Sequence, residues 1–224
     1  MGQKPLFSGM QQRFRTRDKV MSNVNESPRW CTIESDPKIF TLLTSRLGIK
    51  NVRFEEIYDF EHPEIFDFDH VFGFVFLFKW ENDDQKPSDN QKIFKKDFYF
   101  ARQYVSDACA TQAILNIFLN SDVILNEDLR LFKEFTKDFE PSLKGEAIGN
   151  SVFIRNAHNS FATVHLQPSD HNHNNDSFHF VGFIPYGQCV VEIDGLKNMP
   201  IIHESNEENF ARKTLDIVRK KITR

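Results

Sequence analysis

Residues 178–194 of this 224-residue chain read FHFVGFIPYGQCVVEID, two apolar runs joined by a short polar segment. The runs Phe178–Ile184 and Cys189–Ile193 have the length and composition of β-strands. The segment Pro185–Gln188 between them has the length and residue types of a hairpin turn. The stretch therefore predicts an antiparallel hairpin within the sheet of the protein.

This hairpin brings a histidine and a carboxylate together. If Tyr186 and Gly187 are the two central residues of the turn, His179 lies directly opposite Asp194, with Cβ atoms about 5 Å apart on one face. A carboxylate at that distance orients an imidazole and stabilises its charged form. Side chains alternate between the two faces of a strand, so a register shift of one residue would separate the pair. A surface His–Asp pair without a catalytic role is the alternative.

A cysteine at the start of a helix supplies a candidate nucleophile. The pattern predicts a helix over Ala108–Asn120 with Asp107 as its N-cap, and Cys109 lies in the first turn. Unpaired backbone N–H groups and the helix dipole favour a thiolate there and lower its pKa. With the histidine and aspartate of the hairpin, Cys109 completes a nucleophile, a base and an orienting group. The alternative is that Cys109 is a small buried hydrophobe.

Gln103 is the candidate oxyanion donor. It precedes Cys109 by six residues, so its side-chain amide can point toward the N-terminus of the predicted helix. Amide donors of this kind stabilise the negative charge that develops during acyl transfer. A polar loop residue with no such role is the alternative.

A metal site is a competing interpretation of the same histidine. The loop at 165–177 is rich in asparagine, which is typical of a solvated loop, whereas zinc sites need regular ligand spacing. We therefore expect no metal and no other cofactor. The potential ligands in and beside this loop are Asp170, His171, His173, Asp176 and His179.

The rest of the chain mixes strands and helices without a strict βαβ alternation, which indicates an α+β fold with a mostly antiparallel central sheet flanked by helices. The 24 phenylalanines predict a core built largely from Phe. Further strands are predicted at 29–34, 52–60 and 71–80, the last buried on both faces. Further helices are predicted at 37–47, 127–139, 143–161 and from about 207 to the end.

The composition excludes several functional classes. With 40 % hydrophobic and 27 % charged residues, the chain is neither disordered nor membrane-spanning. The net charge of −4 argues against nucleic acid as a partner. Residues 1–20 carry a net charge of +4 and the remaining chain −8, which favours a basic partner surface. Three widely spaced cysteines indicate a reducing compartment. We expect a flexible basic leader at 1–27 and one domain at 28–224.

Several motifs, in order along the chain, resemble the ubiquitin C-terminal hydrolases, the peptidase C12 class of cysteine deubiquitinases. They are QYVSDACATQA at 103–113, FHFVGFIP at 178–185 and VEIDGL at 191–196. WCTIESDP at 30–37, with FLFKW at 76–80 and FKEF at 132–135, is most similar to the catalytic domain of the proteasome-associated member of that family.

The resemblance implies a papain-like core with a knotted chain, and a crossover loop over the active site that matches residues 162–177. It implies that Glu34 corresponds to an acidic residue that meets the basic face of ubiquitin. It also implies the roles of oxyanion donor, nucleophile, base and orienting carboxylate, in that order, for Gln103, Cys109, His179 and Asp194.

Two features depart from the family. Asp107 stands where the family usually has Asn, and its charge would raise the pKa of Cys109. The proteasome-associated member docks through a C-terminal helical extension, and this chain ends at Arg224, so we expect that docking to be absent.

The sequence therefore predicts a monomeric cytoplasmic and nuclear deubiquitinase that binds ubiquitin and its adducts. An alternative is a ubiquitin-binding module with a misaligned or blocked site that needs a partner for activity. A weaker alternative is a protein with a metal-binding loop.

Overall fold

The computed structural model describes most of the predicted domain. The described residues are 29–60, 62, 68, 70–79, 94–95, 97–162, 178–204 and 209–222. The predicted leader and the loop at 165–177 lie outside them, so the domain boundary at residue 28, the crossover loop and the knot stay predictions.

An antiparallel sheet of four strands lies at the centre of the described residues. The strands are β1 (Phe74–Lys79), β2 (Phe178–Tyr186), β3 (Cys189–Ile193) and β4 (Ile201–His203), and they neighbour one another in that order. β2 and β3 form the predicted hairpin, whose ladder runs from the pair Tyr186–Cys189 to the pair Gly182–Ile193. The fold class predicted from the sequence, α+β with an antiparallel sheet, is confirmed.

β1 is less buried than its apolar sequence predicts. Residues 74–78 are only half-buried, and within the described part of the chain this strand pairs with β2 alone. The prediction of a strand buried on both faces is therefore wrong, because β1 lies at an edge of the sheet.

Two other predicted strands do not form in the structure. Residues 29–34 contribute one isolated bridge, between Ile33 and Ala162. Residues 52–60 have an extended course without a described ladder, although Val52 packs inward while Arg53 points outward and contacts Glu55 at 2.8 Å. Packing of one side of a loop thus produces the alternation without a partner strand.

The first helix, α1 (Pro37–Arg46), begins as predicted and ends one residue before the predicted end at 47. Asp36 is its N-cap, and its carboxylate accepts the backbone N–H of Lys38 at 2.6 Å. The chain leaves the helix through Gly48 at φ +85°, a conformation that favours glycine.

Five further helices are described, and two of them take the place of a single predicted helix. The segment predicted as a single helix at 143–161 forms two helices, because Ser151 adopts an extended backbone and caps the second by accepting the N–H of Ile154 at 3.3 Å. These helices are α2 (Cys109–Phe118), α3 (Glu127–Thr136), α4 (Pro141–Asn150), α5 (Val152–Asn159) and α6 (Phe210–Ile222).

The sheet separates two packed layers. On one face α2 approaches β2 so closely that a Cβ added at Gly182 would lie 3.0 Å from the Ile117 side chain. On the other face, Val181 and Phe183 pack with Val218 of α6. Leucine, isoleucine and alanine supply most of the buried apolar side chains, and many phenylalanine rings lie half-buried around them. The prediction of a core built largely from Phe is therefore wrong.

Candidate active site

The turn of the hairpin sets the relation between His179 and Asp194. Tyr186 pairs with Cys189, so the central residues are Gly187 and Gln188, one position later than predicted. Gly187 has φ +59°, as the first central position of a type II′ turn requires.

Moving the turn by one position moves cross-strand partners by two, so His179 is diagonal to Asp194 and not directly opposite it. The predicted direct opposition is wrong. A shift of two keeps both side chains on one face, and Nε2 of His179 lies 2.7 Å from Oδ1 of Asp194.

The His179–Asp194 pair is buried and held on several sides. His179 is 3 % exposed, and its ring meets that of Phe78 edge to face, with centroids 5.8 Å apart. Oδ1 of Asp194 also accepts the backbone N–H of Leu196 at 2.9 Å. Because Nε2 of His179 is engaged by the carboxylate, Nδ1 is the ring nitrogen left to exchange a proton with a reacting group.

Asp194 is held as a carboxylate. Burial by itself favours the neutral acid, but the hydrogen bonds from His179 and from the backbone of Leu196 outweigh it, and the pKa of Asp194 lies below its ordinary value. The group facing Nε2 of His179 is therefore an acceptor at neutral pH, and Nε2 carries the proton of that hydrogen bond.

Cys109 opens α2, as the sequence predicts, but the helix begins differently. A 3₁₀ turn at Ser106–Ala108 precedes it, so Ala108 is the N-cap residue and no side chain caps the helix. The prediction of Asp107 as the N-cap is wrong, because the 3₁₀ turn already includes that residue.

The surroundings of Cys109 disfavour its thiolate. Burial raises the pKa of Cys109 above its ordinary value, and the backbone amides of Ala110, Phe180 and Cys109 itself offset only part of that rise. The negative charge of Asp107 adds a smaller increase, in the direction predicted. The expectation of a lowered thiol pKa is therefore wrong for the chain alone, because desolvation outweighs the helix N-terminus.

The structure brings Cys109 to the histidine strand. The backbone amide of Phe180, the residue that follows His179, lies close enough to the sulfur of Cys109 to lower the pKa of the thiol. The β2–β3 ladder has ended before this point, at Gly182 and Ile193, which leaves room for the N-terminus of α2 beside β2.

Gln103 lies between the two halves of the site. Its Nε2 donates to the carbonyl of Ser106 at 3.3 Å, within the 3₁₀ turn that leads into Cys109. Its backbone N–H donates at 2.8 Å to the carbonyl of Gly195, which directly follows Asp194. All four residues predicted for the reaction centre, Gln103, Cys109, His179 and Asp194, therefore belong to one connected region.

A row of three amides along and just beyond α2 was not predicted from the sequence. Gln112 and Asn116 lie on α2, Asn120 lies in the turn that follows it, and all three bond the backbone of residues 99–102. Their spacing of four residues was the available signal, because buried amides need partners.

A second buried histidine was also overlooked. His158, at the end of α5, is fully buried, with Nδ1 2.7 Å from the hydroxyl of Thr111 and Nε2 2.6 Å from the carbonyl of Cys31. Burial lowers the pKa of His158, so the ring is neutral and Nε2–H is the donor to Cys31. This contact fastens the N-terminal segment to the helix that carries Cys109.

The other predicted site residues are less constrained by the structure. Glu34 is exposed and follows Ile33, whose bridge partner Ala162 is the last described residue before the predicted crossover loop.

Of the residues in the metal interpretation, His179 alone is described, and it is hydrogen-bonded to Asp194. Among the described residues there is no group of three or more potential metal ligands. No helix in the described ranges has the length and apolarity that crossing a membrane requires.

The chain is similar in sequence to known proteins. Residues 30–223 match the family described as ubiquitin carboxyl-terminal hydrolase, family 1. Ubiquitin carboxyl-terminal hydrolase isozyme L5 of Dictyostelium discoideum is 45 % identical over 183 residues, which cover 79 % of this chain and 52 % of that protein. Ubiquitin carboxyl-terminal hydrolase 2 of Schizosaccharomyces pombe is 37 % identical over 201 residues, 86 % of this chain and 67 % of that protein. The chain thus spans about half the length of the first relative.

The fold is also similar to a solved structure. The catalytic domain of Trichinella spiralis UCH37, in its complex with ubiquitin vinyl methyl ester, matches with a TM-score of 0.73 and 32 % sequence identity. The match covers 88 % of this chain and 89 % of that chain.

Proposed function

Because the chain belongs to the ubiquitin carboxyl-terminal hydrolases of family 1, a family of thiol proteases, we propose that it cleaves amide, ester or thioester bonds to the C-terminal glycine of ubiquitin. One observation carries the proposal. Nε2 of the buried His179, on β2, lies 2.7 Å from Oδ1 of Asp194, and the backbone amide of the next residue on that strand, Phe180, is near enough to the thiol of Cys109 to lower its pKa. This arrangement supports a reaction centre with Cys109 as the nucleophile, His179 as the base and Asp194 as the orienting carboxylate.

The first half of the reaction forms a thioester. Nδ1 of His179 takes the thiol proton, and the sulfur of Cys109 attacks the carbonyl carbon of the terminal glycine. The oxyanion is stabilised by the side-chain amide of Gln103 and the backbone N–H of Cys109. The tetrahedral intermediate then expels the leaving group, which takes the proton back from His179.

The second half regenerates the thiol. His179 removes a proton from water, which attacks the thioester carbonyl, and the sulfur of Cys109 leaves as the carbon–sulfur bond breaks. His179 then returns the proton to sulfur and ubiquitin departs with a free carboxylate. The ionised Asp194 stabilises the imidazolium in both halves and keeps the proton of neutral His179 on Nε2.

Substrate and cellular setting extend the same proposal. Glu34 is exposed on the N-terminal segment and is suited to a basic surface of ubiquitin. We place the enzyme in the cytoplasm and the nucleus and expect it to act as a monomer. The crossover loop predicted at 162–177 would limit the size of the leaving group that can pass through it.

The raised pKa of Cys109 favours a second candidate, a ubiquitin-binding module that is inactive by itself. A thiol with a raised pKa supplies less of the reactive thiolate, so turnover would need substrate or a partner to favour that form. This candidate predicts tight ubiquitin binding without turnover.

Mass spectrometry after mixing the chain with ubiquitin that carries a thiol-reactive group at its C-terminus tests the proposal. We expect one adduct, mapped to Cys109 and lost in Cys109→Ala, together with hydrolysis of a ubiquitin–fluorophore amide. Binding without adduct or hydrolysis would favour the second candidate. The absence of both binding and adduct would contradict the proposed function.

A further inference from the structure

On the basis of the proposed function, we propose that Gln112 is a positioning residue for Gln103. Gln112 lies on the helix that carries Cys109, and it holds the backbone of residues 101 and 102, directly before the proposed oxyanion donor. The proposal rests on the buried hydrogen bonds that join α2 to residues 99–102.

Gln112 lies one helical turn after Cys109 and is 3 % exposed. Its Nε2 donates to the carbonyl of Ala101 at 2.8 Å and lies 3.4 Å from the carbonyl of Arg102. An amide nitrogen has two hydrogens, so one side chain can serve both carbonyls. Gln112 thus links the nucleophile helix to the residue directly before Gln103.

The other two amides of the row hold earlier parts of the segment. Asn116 accepts the N–H of Ala101 at 3.0 Å and donates to its carbonyl at 3.1 Å. Asn120 bonds the N–H and the carbonyl of Tyr99 at 2.8 and 2.7 Å. Each of these two amides thus bonds both the N–H and the carbonyl of one residue of the segment. Of the three amides, only Gln112 also reaches the carbonyl of Arg102.

The carbonyl of Ala101 accepts hydrogen bonds from both Gln112 and Asn116, so Gln112 is not needed to hold the segment at that residue. Without the amide of Gln112, that carbonyl keeps the bond from Asn116. Loss of Gln112 therefore leaves the segment attached at Ala101 and releases the carbonyl of Arg102, next to Gln103.

The far side of this segment is held closely, so small shifts matter. The backbone N–H of Arg102 donates to the carbonyl of Pro141 at 2.9 Å, and a Cβ added at Gly145 would lie 1.8 Å from the carbonyl oxygen of Arg102. Oxyanion donors need placement to within about 0.5 Å. Gln112 completes this support from the α2 side.

The test is steady-state hydrolysis of a ubiquitin–fluorophore amide by the full chain. Gln112→Met removes the donor and keeps the side-chain length, and we expect kcat to fall roughly tenfold while KM stays within about twofold. In a Gln103→Ala background the same change should alter kcat less than about twofold, because the side-chain donor that Gln112 positions is then absent.

Two further variants guard against a loss of folding. Gln112→Ala leaves room for water to bond the released carbonyls and is expected to lower kcat in the same way. Asn120→Leu is the matched control, since it removes an amide from the same row at the end distant from Gln103. We expect it to lower the thermal unfolding temperature and to leave kcat within about twofold of wild type.

Three outcomes would overturn the inference. They are wild-type kcat in both Gln112 variants, an equal loss of kcat with and without Gln103, and an equal loss in Asn120→Leu. Absence of hydrolysis by the wild-type chain would instead overturn the proposed function, so the two failures are distinguishable.

Discussion

The backbone N–H of Gln103 donates to the carbonyl of Gly195 at 2.8 Å, which ties the candidate oxyanion donor to the residue that follows Asp194. The two segments of the chain that contain Gln103 and Gly195 pack closely at this point. A Cβ added at Gly195 would lie 2.9 Å from Cβ of Gln103 and 3.1 Å from its backbone nitrogen. The position of the oxyanion donor and that of the orienting carboxylate therefore depend on each other through one small residue.

Substituting Gly195 should impair catalysis more than substrate binding. In Gly195→Ala the new methyl group pushes Gln103 away, and we expect kcat to fall roughly tenfold with KM little changed. Hydrolysis of a ubiquitin–fluorophore amide measures both constants.

Gly187→Ala is the matched control for that substitution. Its φ of +59° makes alanine strained by about 1 kcal/mol or more, but an added Cβ meets nothing within 4 Å. It should destabilise the chain without changing kcat. Equal kcat losses in the two variants would show that the contact between Gly195 and Gln103 has no special role.

Removing the charge of Asp194 should reduce turnover strongly. Asp194→Asn presents an amide to Nε2 of His179 and favours the wrong tautomer, and the equivalent change in Ser-His-Asp enzymes lowers kcat by on the order of 10⁴. We expect a loss of at least about 10²-fold in single-turnover hydrolysis, with ubiquitin binding retained.

Glu192→Gln provides the comparison for Asp194→Asn. Glu192 is similarly buried and also contacts a histidine, with Nε2 of His203 at 2.8 Å, while its other oxygen binds Nζ of Lys221 at 2.9 Å. This variant should be less stable than wild type, but its kcat per folded molecule should stay near the wild-type value. A similar kcat in both variants would contradict the orienting role of Asp194.

The reactivity of Cys109 in the free chain should report its raised pKa. We expect iodoacetamide to modify Cys109 more slowly at pH 7.5 than an exposed model thiol, because burial keeps the sulfur protonated. Asp107→Asn removes a charge that opposes the thiolate and should speed this modification roughly twofold to threefold, since an exposed charge acts weakly through solvent.

Peptide-resolved mass spectrometry separates Cys109 from Cys31 and Cys189 in that experiment. Asp122→Asn, another exposed aspartate, is the control for the general effect of losing a charge. A slower reaction in Asp107→Asn than in wild type would reverse the sign that we assign to Asp107.

The buried His158 should make the protein sensitive to mild acid. Its pKa is lowered in the folded state, so below about 6.5, the ordinary value for histidine, the unfolded chain binds more protons. The stabilising contribution is complete above that pH and is lost as the pH falls toward the folded-state value.

Urea unfolding at pH 7.5 and 5.5 measures this effect. The free energy of unfolding of wild type should fall between these pH values by more than that of His158→Gln, which retains a donor and an acceptor but does not titrate. We expect His158→Gln to cost about 1–3 kcal/mol at pH 7.5. The same pH dependence in both proteins would contradict a lowered pKa for His158.

Local patterns in the sequence were sufficient for the main elements of the site. Apolar periodicity predicted α2 with Cys109 in its first turn, and the alternation of side chains in β2 and β3 predicted His179 and Asp194 on one face. The register error at Gly187 did not matter for that conclusion, because it moved the partners by two residues and so preserved the face.

Other features depended on residues far apart in the chain, and only the tertiary structure decided them. An alternating pattern at 52–60 did not form a strand, because a strand needs a partner and the pattern records only which side packs inward. The thiol pKa of Cys109 rose because desolvation sums over everything packed around it, including β2. The sequence by itself determined the helix, the hairpin and the reactive residues of the site. The turn at Gly187 set the register of the hairpin, whereas long-range packing raised the pKa of Cys109 and supplied the supports of Gln103.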